Sequence, residues 1–130
     1  MLNKSSFTLV EILVVVIIIG VLVGLALPGF RVAKERVLDR EAKANLVLIQ
    51  GAEKIFLIES GSYYSSSVIA DINSNLKVHL PAGGTLSWSY AVDNSQATAS
   101  RLPSGRVWSL TFTGNTPCCA GTDCPPDSSC

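Results

Sequence analysis

The sequence predicts an α+β fold: one long N-terminal helix packed on a small antiparallel β-sheet, with a cysteine-rich C-terminal loop. Three observations predict it. Residues 12–30 hold no ionisable side chain, and apolar residues then recur at helical spacing to about residue 60. Beyond residue 84 the pattern changes to the alternation of strands. All four cysteines lie within residues 118–130.

The first stretch, residues 7–30, reads FTLVEILVVVIIIGVLVGLALPGF. A helix needs about 20 mainly apolar residues to cross the hydrocarbon core of a bilayer, so this run is long enough to span one. Valine and isoleucine would suit a buried strand in water, but lipid leaves backbone groups no partner outside their own helix. Gly20, Gly24 and the pair Pro28-Gly29 weaken the helix, and a kink or local opening is expected there. Lys4, the single charge before the run, makes residues 1–6 a positive cytoplasmic flank, with the C-terminal side facing outward. The run exceeds the roughly 7 to 15 residues of a secretory signal core, which argues against cleavage near Ala26. Glu11 is the anomaly. A carboxylate at the edge of an apolar segment is costly unless it lies at the interface or meets a cation.

Residues 31–60 continue as an amphipathic helix. Leu38, Ala42, Leu46, Ile49, Ala52 and Phe56 form one stripe, and Lys34, Glu35, Asp39, Lys43 and Lys54 are assigned to the opposite, solvated side. Asp39 and Lys43 stand four apart with the acid first, the favourable order for an ion pair along a helix. The combined helix is expected to run from Thr8 to Glu59, roughly 75 Å at 1.5 Å per residue, longer than any membrane is thick. Its outer half therefore needs a cover for its stripe. Gly61 supplies the left-handed cap that ends it, and Tyr63 and Tyr64 are expected to pack at this exit.

A serine-rich connector over residues 65–84 holds a short apolar piece, residues 68–76, read as a helical turn. Three strands follow. Residues 85–92 and 107–113 alternate clearly, residues 97–102 more weakly, and Pro103-Ser104-Gly105 forms a tight turn. They predict an antiparallel meander whose face of Trp88, Tyr90, Trp108, Leu110 and Phe112 covers the helix. A head of this size is marginal alone and needs that helix or a covalent staple.

Cys118, Cys119, Cys124 and Cys130 are disulfide candidates, since they lie outside the membrane in the expected orientation. Adjacent cysteines are poorly placed to bond each other. Two pairings stay open: Cys118 with Cys124 and Cys119 with Cys130, or Cys118 with Cys130 and Cys119 with Cys124. The spacing lacks the two-residue gaps of zinc knuckles and of redox Cys-x-x-Cys pairs, and Asp123 with Asp127 is a thin basis for a calcium loop.

Lys4-Ser5-Ser6-Phe7-Thr8-Leu9-Val10-Glu11, followed by the apolar run with Pro28, resembles the N-terminal signature of type IV prepilins and type II secretion pseudopilins. The resemblance implies a leader of residues 1–6, cut between Ser6 and Phe7 by a prepilin peptidase, with methylation of the new Phe7 amine. Ser6 departs from the glycine that the family prefers. Glu11 and Pro28 match the family's glutamate and proline, and Glu11 is implied to neutralise the terminal amine of an adjacent subunit. The implied organisation has a transmembrane and filament-core half-helix over 7–30, an amphipathic half-helix over 31–60 and a globular head over 61–130. The implied product is a helical homo-oligomer, built by inner-membrane machinery from a membrane-anchored precursor into an extracellular filament. A periplasmic pseudopilus is the alternative, and a membrane-anchored binding domain a more distant one. The cysteine-bounded C-terminal loop resembles pilins more than major pseudopilins.

Other function classes find little support. Ten basic and ten acidic residues balance, with no basic block to hold nucleic acid. His79 is the single histidine and no phosphate-binding glycine loop or nucleophile motif occurs, so neither enzyme chemistry nor a cofactor is expected.

Overall fold

The computed structural model describes residues 7–82, 87–101 and 103–130. Helix α1 spans Leu9–Ser60, α2 spans Ile69–Leu76, and four strands follow: β1 Ser89–Val92, β2 Gln96–Ser100, β3 Val107–Thr111 and β4 Cys118–Cys119. Two compact units divide the chain, Met1–Val37 and Leu38–Cys130, with α1 running through both. The second unit thus takes up the helix at Leu38, the first position of the predicted stripe.

In the first unit the described residues are helical from Leu9 onward and their side chains are exposed almost without exception. The backbone is helical through Gly20, Gly24 and residues 28–29.

The second unit is a meander ordered β1-β2-β3-β4, all neighbours antiparallel. Alternation puts Tyr90, Val92, Ala97, Ala99, Trp108 and Leu110 on one buried face, where they meet Ala42, Leu46 and Ile49 of α1 in a single core. Small Ala97 and Ala99 in the middle strand leave room for the rings beside them. Helix α2 caps the same core with Ile72 and Leu76, and its Asn73 side chain exchanges two hydrogen bonds with the backbone of Leu80. Polar contacts orient the layers: Trp88 Nε1 donates to the Leu38 carbonyl at 2.9 Å, and Gln50 donates to the carbonyls of Thr111 and Gly114.

Several boundaries differ from expectation. The first strand begins at Ser89, and Thr85 and Leu86 lie outside the described residues. The second is Gln96–Ser100, and the third ends at Thr111, although Phe112 remains buried. Strand β4 was not expected, because two residues carry no readable alternation. Gly61 at φ +81° closes α1 as expected. Beyond it Tyr63 packs on Phe112 at 4.6 Å between centroids, and Tyr64 meets Phe56 edge-on.

The largest departure is Asp39, placed by periodicity on the solvated side and in fact buried. Glu53 is buried too, its Oε2 accepting the Tyr64 N–H at 2.9 Å while Oε1 has no partner among the described residues. Burial pushes the Glu53 carboxyl above its usual pKa, and the Tyr64 bond offsets only part of that. A raised folded-state pKa favours the protonated form in the fold. The associated stability is complete below the unfolded value of about 4.5 and is lost as pH rises through the folded value. The thermal midpoint of the chain in detergent is therefore expected to rise relative to that of Glu53→Gln as pH falls from 7 toward 4.5. Parallel midpoints over that range would refute the assignment.

Candidate assembly interface

Two places concentrate the predicted site residues. The first is the start of α1. Thr8 is its N-cap: the Thr8 hydroxyl accepts from the Glu11 N–H at 3.3 Å, while the Thr8 N–H and hydroxyl both reach Glu11 Oε2, at 3.3 and 3.2 Å. This reciprocal capping box satisfies groups that a helix start leaves open, and it keeps the Glu11 carboxylate beside the N-terminus, where the helix dipole favours a negative charge. Thr8-Leu9-Val10-Glu11 carries the capping-box spacing, so the role of Thr8 was open to sequence reading and was missed. Phe7 is exposed, and Ser6 lies outside the described residues. Gly20 and Gly24 face open space. Helix α1 is long and apolar enough to cross a membrane, and none of its most apolar window is buried.

The second place is the C-terminal loop. Of the two pairings left open, the structure holds Cys118–Cys130 and Cys119–Cys124. Strand β4 decides which thiol meets which. Successive side chains of a strand point to opposite faces, so Cys119, opposite Trp108, turns to the core and Cys118, opposite Ser109, turns away. Ala120 then donates to the Val107 carbonyl at 2.8 Å, and Gly121 lies so close to the backbone of Gly105 and Val107 that a Cβ there would clash.

Arg106 joins this loop to the helix. Its Nη1 donates to both oxygens of Asp39, at 2.9 and 3.0 Å, its Nη2 to Asp123 Oδ2 at 3.0 Å, and its Nε to the Asp123 carbonyl at 2.8 Å. Trp108 Nε1 adds a bond to Asp39 Oδ1, and Lys43 Nζ lies 3.9 Å from the centre of the Trp108 ring. The expected Asp39–Lys43 pair is thus replaced: Asp39 binds Arg106, and Lys43 sits over an aromatic face. Asp123, considered above as a calcium ligand, is committed to the guanidinium. No sequence signal links positions 39, 106 and 123, since the meander alone brings them together.

Residues 1–27 match the prokaryotic N-terminal methylation motif. Over 108 residues the chain is 32% identical to the type IV wide pilus major component of Thermus thermophilus, covering 83% of this chain and 81% of that protein. The chain belongs to the type IV pilin family. It is also 42% identical over 61 residues to the type IV major pilin of Myxococcus xanthus, covering 47% of this chain but only 28% of that pilin. The type II secretion system core protein G of Klebsiella pneumoniae is 33% identical over 63 residues, or 48% of this chain and 45% of that protein. No solved structure matches at comparable significance. The long helix, the small antiparallel sheet and the disulfide-closed C-terminus are the pilin-like architecture that the sequence predicts.

The Arg106 network makes the head sensitive to single changes. Removing one member of a buried pair costs roughly 3–5 kcal/mol, so Asp39→Ala is expected to lose about 3 kcal/mol in denaturant unfolding, and Asp39→Leu with Arg106→Met to recover most of it. A loss below about 0.5 kcal/mol for Asp39→Ala, the range of exposed pairs, would sink the clamp reading.

Proposed function

We propose that the chain is the structural subunit of a type IV pilus-like extracellular filament, assembled from an inner-membrane precursor through its apolar N-terminal helix. The uncovered helix carries this reading. Side chains from Leu9 to Leu27 are exposed all round, and a helix apolar on every side is stable only in lipid or among other apolar helices. The precursor occupies the first environment, the filament core the second. Residues 7–30 form the membrane and core segment, 31–60 the half-helix that carries the head, and 61–130 the rest of the head.

The N-terminal motif supports removal of residues 1–6 by a prepilin peptidase and methylation of Phe7. Cleavage creates a cationic amine at the start of a helix surrounded by apolar side chains. Glu11, held before assembly by Thr8, is then the group that neutralises the amine of a neighbouring subunit. Only a subunit docked at the right axial offset brings the two together. The pseudopilin reading draws on the similarity to core protein G, which is confined to 63 residues. The C-terminal disulfides and the longer similarity to the wide pilus component favour the pilus. The role is structural, and the partners are further copies and the inner-membrane assembly machinery.

Intact mass of the protein in sheared cell-surface material tests this. The expected species starts at methylated Phe7 and is four hydrogens lighter than its reduced form, two for each disulfide. Recovery solely in the membrane fraction, with residues 1–6 retained, would overturn the reading. Because an unpaired buried charge costs roughly 3–5 kcal/mol, Glu11→Ala is expected to insert and be cleaved normally yet yield at least about tenfold fewer surface filaments. Wild-type filament levels from that variant would remove Glu11 from assembly.

A further inference from the structure

The two disulfides stand on opposite faces of β4. Cys119 turns toward the core, where only 2% of it is exposed, and its partner Cys124 packs against the same core. Cys118 lies on the outer face opposite Ser109, and its partner Cys130 is exposed. One bond is sheltered by the sheet, and the other is open to solvent.

The two bonds also hold different things. Cys124 follows Asp123, whose carboxylate and carbonyl bind Arg106, so Cys119–Cys124 fixes the segment on which that clamp depends. Cys118–Cys130 adds only the tail beyond it, residues 125–130. Backbone bonds also keep that tail beside β4, from the Cys119 N–H to the Ser128 carbonyl at 2.6 Å and from the Cys130 N–H to the Cys119 carbonyl at 3.1 Å. The Ser109 hydroxyl lies 3.4 Å from Cys130 Sγ and 3.7 Å from Cys118 Sγ. A disulfide sulfur carries no hydrogen, so the hydroxyl is the donor, and it is placed to stabilise a thiolate released at either sulfur.

We propose that Cys118–Cys130 is a reversible thiol-exchange site that takes a dithiol reductant, while Cys119–Cys124 is the permanent staple. Exchange requires a thiolate to reach a disulfide sulfur, and exposed disulfides are the labile ones. Exposed Cys130 is the sulfur attacked. The incoming thiolate forms a mixed disulfide with Cys130 Sγ, and the electron pair of the broken bond leaves on Cys118 Sγ beside Ser109. The second thiol of the reductant, deprotonated in turn, attacks the reductant's own sulfur in that mixed disulfide and releases Cys130 as a thiolate. The two protons given up by the reductant balance the two thiols formed on the protein, and the dithiol ends as a disulfide. Strand β4 then keeps the two pairs apart. The Cys118 thiolate faces away from Cys119–Cys124, and adjacent cysteines are poorly placed to bond each other, so reoxidation restores the original pair. The tail is released and recaptured while the Arg106 clamp stays closed. The site lies wholly in the head and does not depend on the filament reading.

Limited reduction of the full chain in detergent with dithiothreitol, followed by alkylation and peptide mass mapping, tests the proposal. Cys118 and Cys130 are expected to be labelled at least about tenfold faster than Cys119 and Cys124, with the near-ultraviolet dichroism of the head's aromatic residues retained. Labelling of all four at one rate, or of Cys119 and Cys124 first, would overturn it. Glutathione, which has a single thiol, is expected to leave its adduct on Cys130 and the free thiol at Cys118, and an adduct mainly on Cys118 would overturn the assigned direction. Ser109→Ala is expected to slow opening of the outer bond about threefold without changing the labelling of Cys119 and Cys124, and an unchanged rate would remove Ser109 from the step. After the reductant is removed, Cys118–Cys130 is expected to re-form, and a Cys118–Cys124 bond in its place would overturn the separation by β4.

Discussion

One constraint governs the molecule: α1 must be covered, and this chain covers only part of it. From Leu38 onward the sheet and α2 bury one face of the helix, with Ala42, Leu46 and Ile49 fully enclosed. Before Leu38 the described side chains of the helix are almost all exposed. Burying apolar surface yields roughly 25 cal/mol per Å², so a helix apolar on all sides is stable only where lipid or further helices remove it from water. The head is therefore both a folded unit and a cap on a helix that is complete only in company.

What ties head to helix is directional as well as apolar. Arg106 directs donors to the Asp39 carboxylate, the Asp123 carboxylate and the Asp123 carbonyl, so the helix, the start of β3 and the cysteine loop share one guanidinium. Hydrophobic packing tolerates sliding. A guanidinium held through all three of its nitrogens does not, because bonds from Nη1 to Asp39 and from Nη2 and Nε to Asp123 fix its position and plane together. Together with Trp88 on the Leu38 carbonyl and Gln50 on Thr111 and Gly114, it sets the register of the sheet on the helix.

Much of this was legible in the sequence, and what was not has physical reasons. The apolar run, the core stripe of α1, the Gly61 cap and the aromatic face of the sheet follow from periodicity and turn chemistry, which are local. Asp39 misled because helical spacing treats a charge as a solvent marker, while the fold delivers Arg106 from 67 positions away. The burial of Glu53 has no signal in the sequence either, because its partner is the Tyr64 backbone N–H beyond the helix exit. The pairing of the cysteines hinged on a two-residue strand too short to register as alternation. Thr8 is different in kind: its spacing to Glu11 is the capping-box spacing and is visible in the sequence.

Both disulfides close short circuits, 12 and 5 positions apart, and neither links strands that are distant in the chain. The order of the strands therefore owes nothing to oxidation. The chain-entropy model credits loops this short with about 2–3 kcal/mol each, and the effect is confined to the segment each encloses. Each bond accordingly acts locally, holding the tail that carries Asp123 against β4 rather than joining distant layers.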